Sequence, residues 1–187
     1  MKMKYIFIVS LILAVVLGCA QPPLEEMQNA RDAVFKAESD ANAATYAAGS
    51  LARAQAALKR MNTEADNKRY DAAKTNATEA IQAAEKAIAD GRVGAQRAKE
   101  EAASLVAGLR PEIEETARNV NGARYSQLNL DFNALDGQVK NAYDAADLAE
   151  ADQMDGKYKD AIDRARGVRS DLAIINHTVA NAVPRKK

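Results

Sequence analysis

Large apolar and aromatic side chains are scarce in this 187-residue chain, which has no Trp, three Phe, six Tyr, one Cys and one His. The missing Trp and the few β-branched residues argue against a sheet-based sandwich, barrel or dinucleotide-binding domain, because strands are built from those residue types. A single Cys and a single His exclude a disulfide framework and a His/Cys metal cluster. Charge of one sign is also lacking, since 26 basic side chains face 26 acidic ones. Without a basic surplus there is no general attraction to nucleic acid. The balanced charge also removes disorder as the default reading of so apolar-poor a composition. What is abundant is alanine, 41 residues in all. Alanine is the strongest helix former, so the expected fold class is all-α.

The large apolar residues are concentrated at the start. Lys2 and Lys4 precede an apolar run, 5–17, that is interrupted only by Ser10. This is the charge-then-hydrophobic order of an export signal. Thirteen helical residues reach about 20 Å against a hydrocarbon core of about 30 Å, too short for a permanent span. The run closes on Val16-Leu17-Gly18-Cys19, which resembles the bacterial lipobox, with Cys19 the only cysteine and Pro22-Pro23 following. The resemblance implies cleavage between Gly18 and Cys19 and lipidation of Cys19. It also implies a bacterial envelope location, and Ala20 in place of Asp resembles outer-membrane sorting. Loss of Lys2 and Lys4 would leave 24 basic against 26 acidic side chains. The expected organisation is a signal at 1–18, a lipidated tether at 19–23, helical units at 24–110 and 111–182, and a basic tail at 183–187. An extended tether of this length reaches about 15 Å.

Beyond the tether, apolar positions recur at steps of three and four, the mark of amphipathic helices. Breaks at Gly, Pro and Asn/Asp clusters give five to six helices, at about 24–42, 50–63, 69–109, 112–120, 127–153 and 158–180, with a loop over 43–49. Pro111 is expected to end or kink the third, and Asn121-Gly122 to break the chain again. Gly91 and Gly94 read as a tolerant or closely packed point. Amphipathic faces must be covered by neighbours, so the architecture is an antiparallel helical bundle or a set of helical hairpins. With alanine at the facing positions, helices approach closely and leave little room for a deep cavity.

The two halves also echo each other. Adding 88 to Leu51, Ala54, Leu58, Met61, Tyr70, Ala73, Ala77, Ala80, Ala84 and Ala87 lands on Val139, Ala142, Ala146, Ala149, Tyr158, Ala161, Ala165, Val168, Leu172 and Ile175. Pro23 maps on Pro111 by the same step, and a second offset of 79 carries Tyr46 to Tyr125. The two offsets agree if the first helix of the second unit is about nine residues shorter. Any two alanine-rich helices match at helical spacing, but the paired Pro and Tyr positions are not forced by it. Tyr46, Tyr70, Tyr125 and Tyr158 are candidate structural signatures, each placed to lay its ring over thin alanine packing near a helix end.

The stretch 24–99 carries Ala44-Thr45-Tyr46-Ala47, Leu51-Ala52-Arg53-Ala54 and Tyr70-Asp71-Ala72-Ala73 at the start of a long alanine-rich helix. In this it resembles a family of bacterial envelope domains of unknown function, mostly lipoproteins and sometimes beside an OmpA-like domain. The resemblance implies an envelope location, but with no OmpA-like domain present it carries over no direct peptidoglycan binding. The lipobox, the short tether and the lack of a catalytic constellation lead to the expectation of a non-enzymatic scaffold with an envelope protein partner and peptidoglycan nearby.

No Gly-x-Ser-x-Gly, Walker or His-Glu-x-x-His pattern occurs, so no catalytic, metal or cofactor residue is assigned. His177 reads as a helix-end residue. Asp152-Gln153-Met154-Asp155-Gly156 lacks the ligands of a calcium loop and reads as a turn. Two alternatives stay open at this point. Lys186-Lys187 suggests a covalent peptidoglycan tether, and Lys157-Tyr158-Lys159-Asp160-Ala161 suggests a TPR-like adaptor for an envelope transport or assembly system.

Overall fold

The computed structural model describes residues 21–183. Among the described residues the chain is all-α, with six helices: α1 Leu24–Ser39, α2 Ala41–Tyr46, α3 Ala48–Asp66, α4 Tyr70–Tyr125, α5 Phe132–Met154 and α6 Tyr158–Ala182. It divides into two compact units, one up to Val93 and one from Gly94. The helix α4 runs through this boundary, and Pro111, the expected start of the second unit, lies on the far side of it.

In the first unit, Pro23 precedes α1 and accepts the Met27 N–H at 3.0 Å, while Glu25 and Glu26 stand in the first turn where the helix dipole favours acid. Asp40 then breaks the helix and restarts it, its carboxylate accepting the Ala43 N–H at 2.8 Å as the N-cap of α2. The expected loop over 43–49 is therefore mostly helix. The break also rotates the apolar stripe, so that Ala41 is exposed while Ala43 and Ala47 are buried. The core gathers Met27, Val34 and Met61 with nine alanines from α1, α2, α3 and the first part of α4. Each alanine contributes one methyl, about 0.8 kcal/mol, so this core rests on many small contributions.

The second unit fills the same role with larger residues. Leu109, Ile113 and Val120 of α4 meet Leu135 and Val139 of α5 and Val168, Leu172 and Ile175 of α6, with only four alanines in the cluster. These side chains explain why Pro111 does not end the helix. Proline inside a helix costs about 3 kcal/mol. Leu109 and Ile113, on either side of it, are each completely buried. Burying two such residues is worth about 3 to 6 kcal/mol. The separate helix at 112–120 and the break at Asn121-Gly122 are replaced by continuous α4, in which Asn121 and Gly122 lie on the exposed face. The next helix starts at Phe132 rather than near 127, where Asp131 caps it by accepting the Ala134 N–H at 3.0 Å.

The offset of 88 extends to the backbone. After α3, Lys68 N–H bonds the Ala65 carbonyl at 2.9 Å and Arg69 N–H bonds that of Glu64 at 2.9 Å. After α5, Gly156 N–H bonds Gln153 at 3.1 Å and Lys157 N–H bonds Asp152 at 2.8 Å, each partner 88 positions on. Lys68 and Gly156 both take left-handed conformations, with φ of 58° and 76°. This is the Schellman closure, in which one left-handed residue lets two N–H groups reach back to the last turn. The hairpin of α3 with the start of α4 and the hairpin of α5 with α6 thus share one turn and one buried pattern. The equivalence of Pro23 and Pro111 does not hold, because one precedes a helix and the other lies inside one. In the first helix of each unit the buried positions instead correspond at an offset of 86: Met27, Ala30, Val34 and Ala37 against Ile113, Thr116, Val120 and Ala123.

Candidate functional site

Gly18 and Cys19, the expected cleavage and lipidation residues, lie outside the described residues, as do Lys186 and Lys187. The described chain begins at Gln21, three residues before α1. No helix among the described residues is long and apolar enough to cross a membrane.

The four tyrosines are not brought together into one site. Tyr70 and Tyr158 are the first residues of α4 and α6 and are half-buried, in equivalent places of the two hairpins. Tyr46 closes α2 and is half-buried. Tyr125 departs from the expectation of ring burial, being 88% exposed. It is the last residue of α4, and the chain turns away at Gln127, whose φ is 55°, with Phe132 rather than Tyr125 packed on the core.

Most side-chain polar contacts among the described residues lie on helix surfaces. Between α3 and α4 the Ser50 hydroxyl donates to Asp90 at 2.6 Å, and Lys86 reaches the other carboxylate oxygen at 2.8 Å. The hydrogen bond from Lys86, and then that from Ser50, holds the Asp90 carboxyl below its ordinary range. An aspartate stabilised as the anion is a poor acceptor of a serine proton, so this arrangement fixes α3 on α4 rather than activating Ser50. Beside it Ser50, Arg53, Glu79, Gln82, Ala83 and Lys86 line an open hollow of about 180 Å³. That is below the roughly 300 Å³ at which small-molecule pockets begin.

In the second unit, Arg169 of α6 grips Glu112 of α4 with two bonds of 3.0 and 2.7 Å. Gly108 leaves space for that guanidinium, since a Cβ there would stand 2.8 Å from Arg169 Nη2. Deeper in, Asn176 donates to the buried Thr116 hydroxyl at 2.9 Å and accepts from Asn119 at 3.0 Å. Sequence periodicity did not reveal this polar contact. Thr116 occupies an inward position where periodicity expects an apolar residue, and the signal for it was Asn176 on α6.

His177 lies within 3.1 Å of Asn181 and has no acidic partner among the described residues. No group of three or more His, Cys, Asp or Glu among those residues could hold a metal ion. No buried side-chain nitrogen or oxygen among them lacks a hydrogen-bond partner.

No protein-family profile, no curated protein and no solved structure matches the chain.

Proposed function

We propose that the chain is a bacterial cell-envelope lipoprotein, acylated at Cys19. In this reading it is held at the periplasmic face of the outer membrane, and its helical body is a non-enzymatic scaffold for an envelope protein partner. One observation carries the anchor: a lysine pair, a thirteen-residue apolar run and Leu17-Gly18-Cys19 stand in that order, with no other cysteine in the chain. More than one acyl chain on Cys19 gives stable attachment where a single one would be marginal. The scaffold reading draws support from two closely packed apolar cores, the first closed mostly by alanine and the second by Leu, Ile and Val, and from buried polar side chains that all have partners among the described residues. The resemblance of 24–99 to envelope domains of unknown function supports the same compartment.

The TPR-like alternative draws no support from the helix lengths. A TPR repeat fits two helices into about 34 residues, whereas α5 and α6 have 23 and 25 residues before their turn is counted.

The test is incorporation of labelled palmitate in cells expressing the wild type and Cys19→Ala, with membranes separated on a density gradient. The expected result is label on the wild type in outer-membrane fractions and none on the variant. An unlabelled wild type would reject the anchor.

A further inference from the structure

The chain spends its few large apolar side chains unevenly. Beyond Cys19 it has two phenylalanines, and Phe132 packs against the core of the second unit while Phe35 is left 69% exposed. Leu24, the first residue of α1, is 70% exposed. Phe35 lies eleven positions after Leu24, just over three full turns at 3.6 residues each, so they share one flank of α1 about 16 Å apart. Between them on that flank stands Arg31, which donates to Asn62 at 3.2 Å and has no carboxylate partner among the described residues. Gln28 and Glu38 border the flank and are already engaged, Gln28 with Asp32 at 2.9 Å and Glu38 with Gln55 at 2.8 Å. The core-facing residues Met27, Ala30, Val34 and Ala37 occupy another side of the helix. Glu25 and Asp32 are turned further round, about 80 to 100° from Leu24.

We infer that this flank of α1 lies on the bilayer in which Cys19 is anchored. Leu24 and Phe35 enter the interfacial layer, and Arg31 pairs with a lipid phosphate. The inference rests on the lipoprotein reading, and chain length selects the bilayer over other occupants. Five residue steps join Cys19 to Leu24, about 15 to 18 Å at full extension. The polar layer on each side of the hydrocarbon core is about 5 to 8 Å thick. The start of α1 is thereby held within reach of that layer, and a helix lying along it brings Phe35 to the same depth as Leu24. Apolar residues flanking a cation on one face are the features by which helices lie in an interface. Arginine suits the phosphate through its forked donors.

The experiment uses the full-length lipidated protein in vesicles of phosphatidylethanolamine and phosphatidylglycerol. An acylated Cys19 has no free thiol, so Leu24→Cys, Phe35→Cys and Asn29→Cys each carry a single site for a polarity-sensitive bimane label. Asn29 is exposed on the same helix, about 140° round from Leu24, and separates facing from mere proximity. The expected result is blue-shifted emission and loss of intensity with doxyl-labelled lipids at 24 and 35, with neither at 29. Equal, water-like emission at all three positions on a protein whose Cys19 carries acyl mass overturns this proposal and leaves the anchor standing. A shift at 35 that persists in detergent and grows with protein concentration assigns the flank to a second copy and also overturns it. Absence of acyl mass on Cys19 rejects the anchor, and this proposal with it. Retained helicity by circular dichroism confirms that each variant folds.

Discussion

Replacing Gly91 with alanine tests the packing of the first unit most sharply. Gly91 is buried in α4, and a Cβ built on it would stand 2.5 Å from the Ala43 nitrogen and 2.7 Å from both Ala43 Cα and Asn42 C. All three are backbone atoms at the start of α2, so no side-chain rotation relieves the clash. Either α2 or α4 must move. Overpacking of a closely fitted site costs about 1 to 3 kcal/mol. Against this, alanine gains about 1 kcal/mol over glycine in a helix interior. Because the clash falls on rigid backbone the steric cost takes the upper part of that range, about 2 to 3 kcal/mol, and the net effect should be destabilisation by about 1 to 2 kcal/mol. Gly167, inside α6, has nothing within 4 Å of where a Cβ would stand and supplies the control. There only the propensity gain remains, and Gly167→Ala should stabilise by about 0.5 to 1 kcal/mol. Urea unfolding followed by helical circular dichroism, with the midpoints of both variants compared, reads the opposite signs. If Gly91→Ala stabilised the protein as much as Gly167→Ala, the close approach of α2 to α4 would be refuted.

Other outcomes follow from the same packing. Lys68 and Gly156 occupy equivalent left-handed positions, which cost a side chain about 1 kcal/mol. Lys68→Gly should therefore raise stability and Gly156→Ala lower it, each read by the thermal midpoint. Thr116→Val removes the acceptor of Asn176 and should cost about 1 kcal/mol in urea unfolding. Asp90, its pKa lowered by Lys86 and Ser50, contributes stability that is present above the unfolded-state value near 4 and is lost as pH falls through the lower folded value. Acid titration of Asp90→Asn should then show a shallower loss of helicity below about pH 4 than the wild type. Hydrogen exchange should be slower in the buried helices of the second unit, whose core has Leu, Ile and Val where the first has alanine.

The hairpins were legible because one signal carried them. A stripe of apolar residues at three- and four-residue steps reports a buried face whatever the residue size, and Ala73, Ala77, Ala80 and Ala84 are all buried as that stripe requires. The offset of 88 held down to the hydrogen bonds of the two turns. Local punctuation misled where tertiary burial outweighed it. Pro111 carries a breaker's signal, but the cost of one lost bond and a ring clash is local, while the burial of Leu109 and Ile113 depends on partners in α5 and α6. The Asp40 break failed the other way, because a single capping carboxylate shifted the register of α2 and turned Ala41 outward. Gly91 was recognisable as a closely packed point, but its partner was not, since nothing in 41–46 signals that its backbone sits against α4. Of the candidate site residues, Tyr70 and Tyr158 could be placed from their equivalent turns. Tyr125 could not, since its environment depends on where α4 ends.

The fate of Cys19 decides the anchor, and mass spectrometry of the N-terminal peptide of the protein purified from a bacterial host measures it directly. The expected chain begins at Cys19, with a diacylglyceryl group on sulfur and an acyl chain on the α-amino nitrogen. A chain that keeps residues 1–18, or one that carries Cys19 as a free thiol, would contradict the lipoprotein assignment.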